Sequence, residues 1–235
     1  MIPLRDTIQS RSTPIMTVSL IIANAAAFIF QLSLGQNLND FITVYGFVPS
    51  KFFHLISKGN ILAGLFPLFT SIFLHGGWFH IIGNMWYLWI FGDNVEDRVG
   101  HFRFVIFYIL CGVSAGLIHG FTSPNSGIPT IGASGAIAGV MGAYFVLYPR
   151  AKIWTLVPIF FFVQFIEIPA FFFLGFWILM QFFMGTFSLG IGSMQGGVAW
   201  WAHIGGFATG ALLIFIFQKR QRNLPRQYAD QYRPW

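Results

Sequence analysis

Six apolar stretches, at about 15–34, 73–92, 103–121, 131–148, 168–187 and 197–217, leave this chain little choice of fold. Each approaches the roughly 20 residues needed to cross a hydrocarbon core about 30 Å thick, where every backbone polar group must be paired within the chain. Charged residues make up only 9% of the chain, against about 25% in an average soluble domain. Aromatic residues reach 19%, which suits lipid-facing and interfacial positions. The expected fold class is all-α: a polytopic membrane protein, one domain over residues 1–235, built as a six-transmembrane-helix bundle.

The fifth stretch needs its own reasoning. From Ile153 to Met184 the chain is almost continuously apolar, about 48 Å if helical, too long for one span and too short for two. Pro158 and Pro169 interrupt it, because each lacks an N–H and clashes with the preceding turn. Residues 153–166 are therefore expected along the membrane interface, with the span starting near Pro169 and Glu167 close to the headgroups. The first stretch follows Arg5 and Arg11 like a signal peptide but runs on long enough to span, and reads as an uncleaved anchor.

Charge sets the orientation. Eleven of the 13 Lys and Arg residues fall on one side of a six-span arrangement. The other side carries Lys51 and Lys58, while the 122–130 and 188–196 loops carry no charge. By the positive-inside rule both termini are expected in the cytoplasm. The basic residues sit in short loops and tails and form no basic-aromatic surface, so no nucleic-acid partner is expected. The segment from Lys51 to Lys58 reads equally as a short amphipathic helix in the outer leaflet or as a plain loop. Cys111, the single cysteine, reads as inert packing, and the polar tail from Gln218 as mobile.

Three polar groups share one depth. Ser134 lies 15 residues before Pro149, where the fourth stretch ends, and His203 lies 15 residues before Gln218, where the sixth ends. At 1.5 Å per residue both stand about 22 Å above the inner boundary, and His80 about 18 Å above it. Glycines explain how the helices could touch: Gly135, Gly139 and Gly142 form one stripe, and Gly206 and Gly210 align with His203. Small residues let membrane helices approach backbone to backbone.

These groups suffice for acyl-transfer chemistry. A serine hydroxyl needs an adjacent base, and His203 is that candidate for Ser134. A tetrahedral intermediate needs donors aimed at its oxyanion. His80 and Asn84, four residues apart on one helix face, and the Ser134 backbone N–H at a helix start can supply them. No acidic residue is placed to orient His203, which favours a dyad over a triad. No metal or cofactor is called for, and no H-E-x-x-H motif is present. Alone, a serine in a membrane helix is usually packing or bonded back to its own helix. His75 and His119 lie near the outer boundary and stay outside the proposed set. Glu167 and Gln181 raise the thought of a transport path, but paired intramembrane charges and half-helix repeats are missing.

The motifs His80-x-x-x-Asn84, Gly132-x-Ser134-Gly135 and Ala202-His203-x-x-Gly206-x-x-x-Gly210 fall in this order on the second, fourth and sixth stretches. Together with the segment Phe91 to Gly100, they closely resemble the rhomboid family of intramembrane serine proteases, over about residues 15–217. The resemblance implies a six-helix bundle whose cavity opens outward to water, with Ser134 as nucleophile, His203 as base, and His80 and Asn84 in the oxyanion hole. It implies single-span membrane proteins as substrates, entering between the second and fifth helices. Family and compactness together point to a bacterial plasma membrane. Two departures stand out. Some members carry a tyrosine one turn after the serine that packs on the histidine, where this chain has Ala138, and some carry a Trp-Arg pair in the first loop that is missing here. The competing expectation is a catalytically inactive rhomboid-like protein that binds membrane clients; such proteins typically lack the serine and histidine.

Overall fold

All six apolar stretches are helical in the structure, a computed structural model that describes residues 1–159, 162–191 and 198–219. They form α1 (Ile15–Ser33), α5 (Trp78–Val99), α6 (His101–Thr122), α7 (Ser134–Leu147), α8 (Ala170–Ile191) and α9 (Trp200–Phe217). Four of them, α1, α6, α8 and α9, are long and apolar enough to cross a membrane. Three short helices, α2 (Leu38–Tyr45), α3 (Pro49–Ser57) and α4 (Ile61–Thr70), fill the long loop after α1. The segment Ile61–Phe73 and α5 together make a fifth apolar unit, bent by 83°. At 14 residues, α7 is the shortest of the six.

That shortness has a structural use. A 14-residue helix covers about 21 Å, so α7 begins well inside the bundle and leaves space above its N-terminus. It is also the central helix, buried at every position from Gly135 to Tyr144. A Cβ on Gly206 would run into the Gly135 carbonyl oxygen, one on Gly210 into the Gly139 carbonyl oxygen, and one on Gly142 into the Phe207 carbonyl oxygen. The glycine stripes therefore bring α7 and α9 into backbone contact, as their spacing predicts.

One element is not helical. Two strands, β2 (Lys152–Ile159) and β3 (Phe162–Pro169), pair antiparallel, and β1 (Ile2–Asp6) extends them to a sheet of order β1-β2-β3. The helical reading of the bundle holds, and this small sheet is an addition to it. Ile, Val, Trp and Phe suit a pleated surface, and the prolines sit where a sheet tolerates them. Pro3 lies on an edge strand, and Pro158 lies beyond Leu156, where β1 no longer pairs with β2. Glu167 is ion-paired to Lys152 at 2.7 Å and accepts from the Trp154 indole at 2.8 Å.

The amphipathic segment is α3, and its buried Phe52 packs with Phe47 and Leu68 rather than facing lipid alone. Glu96, near the C-terminal end of α5, is fully buried. It accepts from the backbone N–H groups of Met16 (2.9 Å) and Thr17 (2.7 Å) and from the Thr17 hydroxyl (2.7 Å). The carboxylate thus satisfies orphan donors in the first turns of α1 and sits at the favourable end of its dipole. The expected mobile tail falls, from residue 220 onward, outside the described residues.

Asp6, at the end of β1, accepts from the Tyr144 hydroxyl at 2.5 Å and the Asn94 amide at 2.9 Å. Burial pushes its carboxyl up from 3.8 to about 6, against the opposing pull of the Tyr144 hydrogen bond. Between those values the folded state holds a proton that the unfolded chain releases, so stability falls as pH rises. The contribution is complete below 3.8 and lost as pH passes about 6. Asp6→Asn is expected to flatten thermal stability in detergent across that window; an unchanged slope would exclude Asp6 as its source.

Candidate active site

Ser134 is the first residue of α7, and the backbone before it is bent sharply to place it there. Gly132 has φ 128, a conformation side-chain-bearing residues rarely adopt, and its N–H donates to the Ser71 carbonyl at 2.9 Å. Ser134 has no carbonyl four residues earlier in the helix, so its N–H is one of the orphan donors of the helix start. The positive end of the α7 dipole adds to it.

His203 lies in the first turns of α9, on the face that Gly206 and Gly210 press against α7. The Ser134 hydroxyl and His203 Nε2 are 2.9 Å apart. This is hydrogen-bonding distance between residues 69 apart in sequence. On the other side of the ring, His203 Nδ1 is 2.7 Å from the Gln181 side-chain oxygen of α8. Trp177, one turn before Gln181, packs on the ring at 5.7 Å between centroids and a 36° tilt. Trp200 meets it edge-on at 6.3 Å.

His80 and Asn84 come from the first turns of α5. The Gly76 N–H points at His80 Nδ1 (3.3 Å), so in the neutral ring Nε2 carries the hydrogen. A Cβ on Gly132 would stand 2.7 Å from that Nε2 and 3.7 Å from the Asn84 amide nitrogen. Both donors therefore converge two residues before Ser134. The Asn84 amide nitrogen is buried and hydrogen-bonds to nothing among the described residues, an arrangement that costs roughly 1–3 kcal/mol. A buried donor left open beside a serine is suited to an anion that forms only during a reaction.

These groups line one cavity of about 1400 Å³. No carboxylate, lysine or arginine lines it among the described residues. Gly132, Gly135, Gly139, Gly206 and Gly210 all sit at the helix contacts beneath or beside it. His119 lines the cavity too. His75 is buried instead, 2% exposed and packed edge-on to His80 at 5.2 Å, with its backbone held by both ends of the Gln31 amide.

Sequence reasoning missed Trp177 and Gln181 as neighbours of His203. A signal was available: Gln181 is the one amide in the apolar run Phe171–Met184, and Trp177 is four residues earlier on the same helix face. A polar residue within a membrane helix is a functional pointer by default.

Fold and site together define a class: a polytopic helical membrane protein with a serine–histidine pair at the floor of a large internal cavity. The chain belongs to the rhomboid family, whose Rhomboid domain matches residues 63–220. It is 27% identical to RHOMBOID-like protein 1 of Arabidopsis thaliana, over 92% of this chain and 58% of that protein. It is 30% identical to the mitochondrial RHOMBOID-like protein 12 of the same plant, over 87% of this chain and 59% of the relative. Rhomboid protease GluP of Bacillus subtilis is 32% identical over 49% of this chain and 21% of its own length. The chain thus spans less than two thirds of these relatives. It is an integral membrane protein. The relatives include mitochondrial and chloroplastic proteins, so the expectation of a bacterial plasma membrane is not supported.

Proposed function

We propose that this protein is an intramembrane serine protease that hydrolyses peptide bonds in or near the transmembrane segments of single-span membrane proteins. The observation that carries this is the 2.9 Å contact between Ser134 Oγ and His203 Nε2 on a cavity that also holds the Asn84 amide nitrogen, which has no hydrogen-bond partner among the described residues.

The steps follow from the geometry. Ser134 Oγ attacks the scissile carbonyl carbon while His203 Nε2 takes the hydroxyl proton. The carbonyl oxygen becomes an oxyanion, received by His80 Nε2–H, the Asn84 amide and the Ser134 backbone N–H. The intermediate collapses, the C–N bond breaks, and His203 gives its proton to the departing amine. Water from the cavity then attacks the acyl-enzyme, with His203 as base again, releasing the acid and restoring Ser134. No carboxylate, metal or cofactor takes part in these steps. In the bilayer the six helices form the membrane-embedded bundle, with the short α7 crossing only part of its thickness; both termini are cytoplasmic and the cavity opens to the opposite side, the orientation that the basic loops favour.

A fluorophosphonate probe tests the assignment directly. Labelling at Ser134 that disappears in His203→Ala establishes nucleophile and base together. An unlabelled, folded wild type would favour a client-binding protein without hydrolytic activity. Asn84→Ala is expected to lower kcat by about 10²-fold with little change in KM, since two oxyanion donors remain. Turnover at the wild-type rate in that variant would remove Asn84 from the oxyanion hole.

A further inference from the structure

His203 has two ring nitrogens, and the chemistry above uses only one of them. For Nε2 to accept the Ser134 proton, the neutral ring must carry its hydrogen on Nδ1, and something must hold that tautomer in place. The common partner for such a nitrogen is a carboxylate or a backbone carbonyl, and no carboxylate lines the cavity among the described residues. Among the described residues, the group at hydrogen-bonding distance from Nδ1 is the Gln181 side-chain oxygen, at 2.7 Å.

We propose that Gln181 is the positioning residue of His203, its amide oxygen accepting the Nδ1 hydrogen and so turning the lone pair of Nε2 toward Ser134. An amide oxygen can only accept, and the amide nitrogen in its place would only donate. A donor there would select the other tautomer, put a hydrogen on Nε2 and abolish the base. Trp177 and Trp200 complete the arrangement by bounding the ring on its face and edge. The ring packed on the face of His203 is therefore Trp177 of α8, whereas α7 presents Ala138 one turn after Ser134. Gln181 itself is 8% exposed, whereas its neighbours Phe182 and Phe183 are 50% and 59% exposed. The polar side chain is thus turned inward and the phenylalanines outward.

The assignment places the support of the base on α8 and the reacting pair on α7 and α9. Seating of α8 against the bundle is then a condition for an active base: moving Gln181 away by more than about 1 Å leaves Nδ1 without an acceptor. The residue touches His203 and does not line the cavity, so its effect falls on the rate of proton transfer.

The inference rests on the protease reading, and the test separates the two. Gln181→Met keeps the length and apolar bulk of the side chain but removes the acceptor; Gln181→Glu keeps an acceptor and adds a charge. A residue that only packs would tolerate Met and resist a buried carboxylate, and a positioning residue predicts the reverse order. In full-length protein, Gln181→Met is expected to lower the rate of Ser134 labelling and the kcat for a single-span reporter by roughly 10- to 100-fold, with KM and melting temperature little changed. Gln181→Glu is expected to recover most of that loss. Labelling of Gln181→Met at the wild-type rate would overturn the role of Gln181 and leave the protease reading intact. A wild type that is not labelled at Ser134 would overturn both. Should Gln181→Met not fold, Gln181→Glu decides alone: activity near wild type supports an acceptor at this position, and a folded, unlabelled protein refutes it.

Discussion

Ser134→Ala is expected to leave the protein folded and to reduce cleavage of a membrane-spanning reporter to background, a loss on the order of 10⁴- to 10⁶-fold. The substitution removes one hydroxyl and one hydrogen bond to His203, worth about 1 kcal/mol of stability, so the effect lies almost wholly in the chemistry. His203→Ala is expected to cost about as much, because a serine without its base is a poor nucleophile in this apolar site. The two residues act as a unit, so the double variant should be no slower than either single one. Wild-type turnover persisting in Ser134→Ala membranes, measured against a reporter with its cleavage site altered, would sink the mechanism.

The second large effect concerns the contact that holds the pair together. Gly206→Ala and Gly210→Ala each introduce a methyl group where a carbonyl oxygen of α7 already lies, that of Gly135 and of Gly139 respectively. No rotamer change relieves a clash with backbone, so α9 must move off α7. Overpacking of this kind costs at least about 1–3 kcal/mol, and two backbones in contact place it at or beyond the upper end. The displacement also opens the 2.9 Å Ser134–His203 bond, and a misplacement of about 1 Å can cost on the order of 10² in rate. Both variants are therefore expected to melt earlier and to label poorly. Gly175→Ala is the control, since its Cβ would meet only Phe145 at an ordinary 3.9 Å. Equal stability of Gly210→Ala and Gly175→Ala would show that α7 and α9 are not packed this closely.

Much of this was legible in the residues. Hydropathy located the apolar helices because the bilayer rewards runs of one chemical character, a local property of the chain. Helical spacing put His80 with Asn84, and His203 with Gly206 and Gly210, on common faces, because 3.6 residues per turn fixes which side chains share a side. Counting residues along each helix predicts one layer for Ser134, His203 and His80.

Other features depend on rotation and packing, which no single stretch encodes. The Glu96 carboxylate found the first turn of α1 across 80 residues of chain, a pairing that nothing in its own stretch announces. The β2–β3 pair formed because β1, whose Asp6 pairs with Ile153, supplied a third strand and a covered edge for β2. Gln181 met His203 only because α8 turns that face toward α9.

The amino-acid sequence by itself determined that this chain enters a membrane as apolar helices, and singled out the serine and histidine expected at a common depth. The tertiary structure alone decided that the second ring nitrogen of His203 faces an amide on α8 rather than an acid. Depth is set by counting residues along one helix, whereas a 2.7 Å contact between helices is set by how three of them are rotated and pressed together.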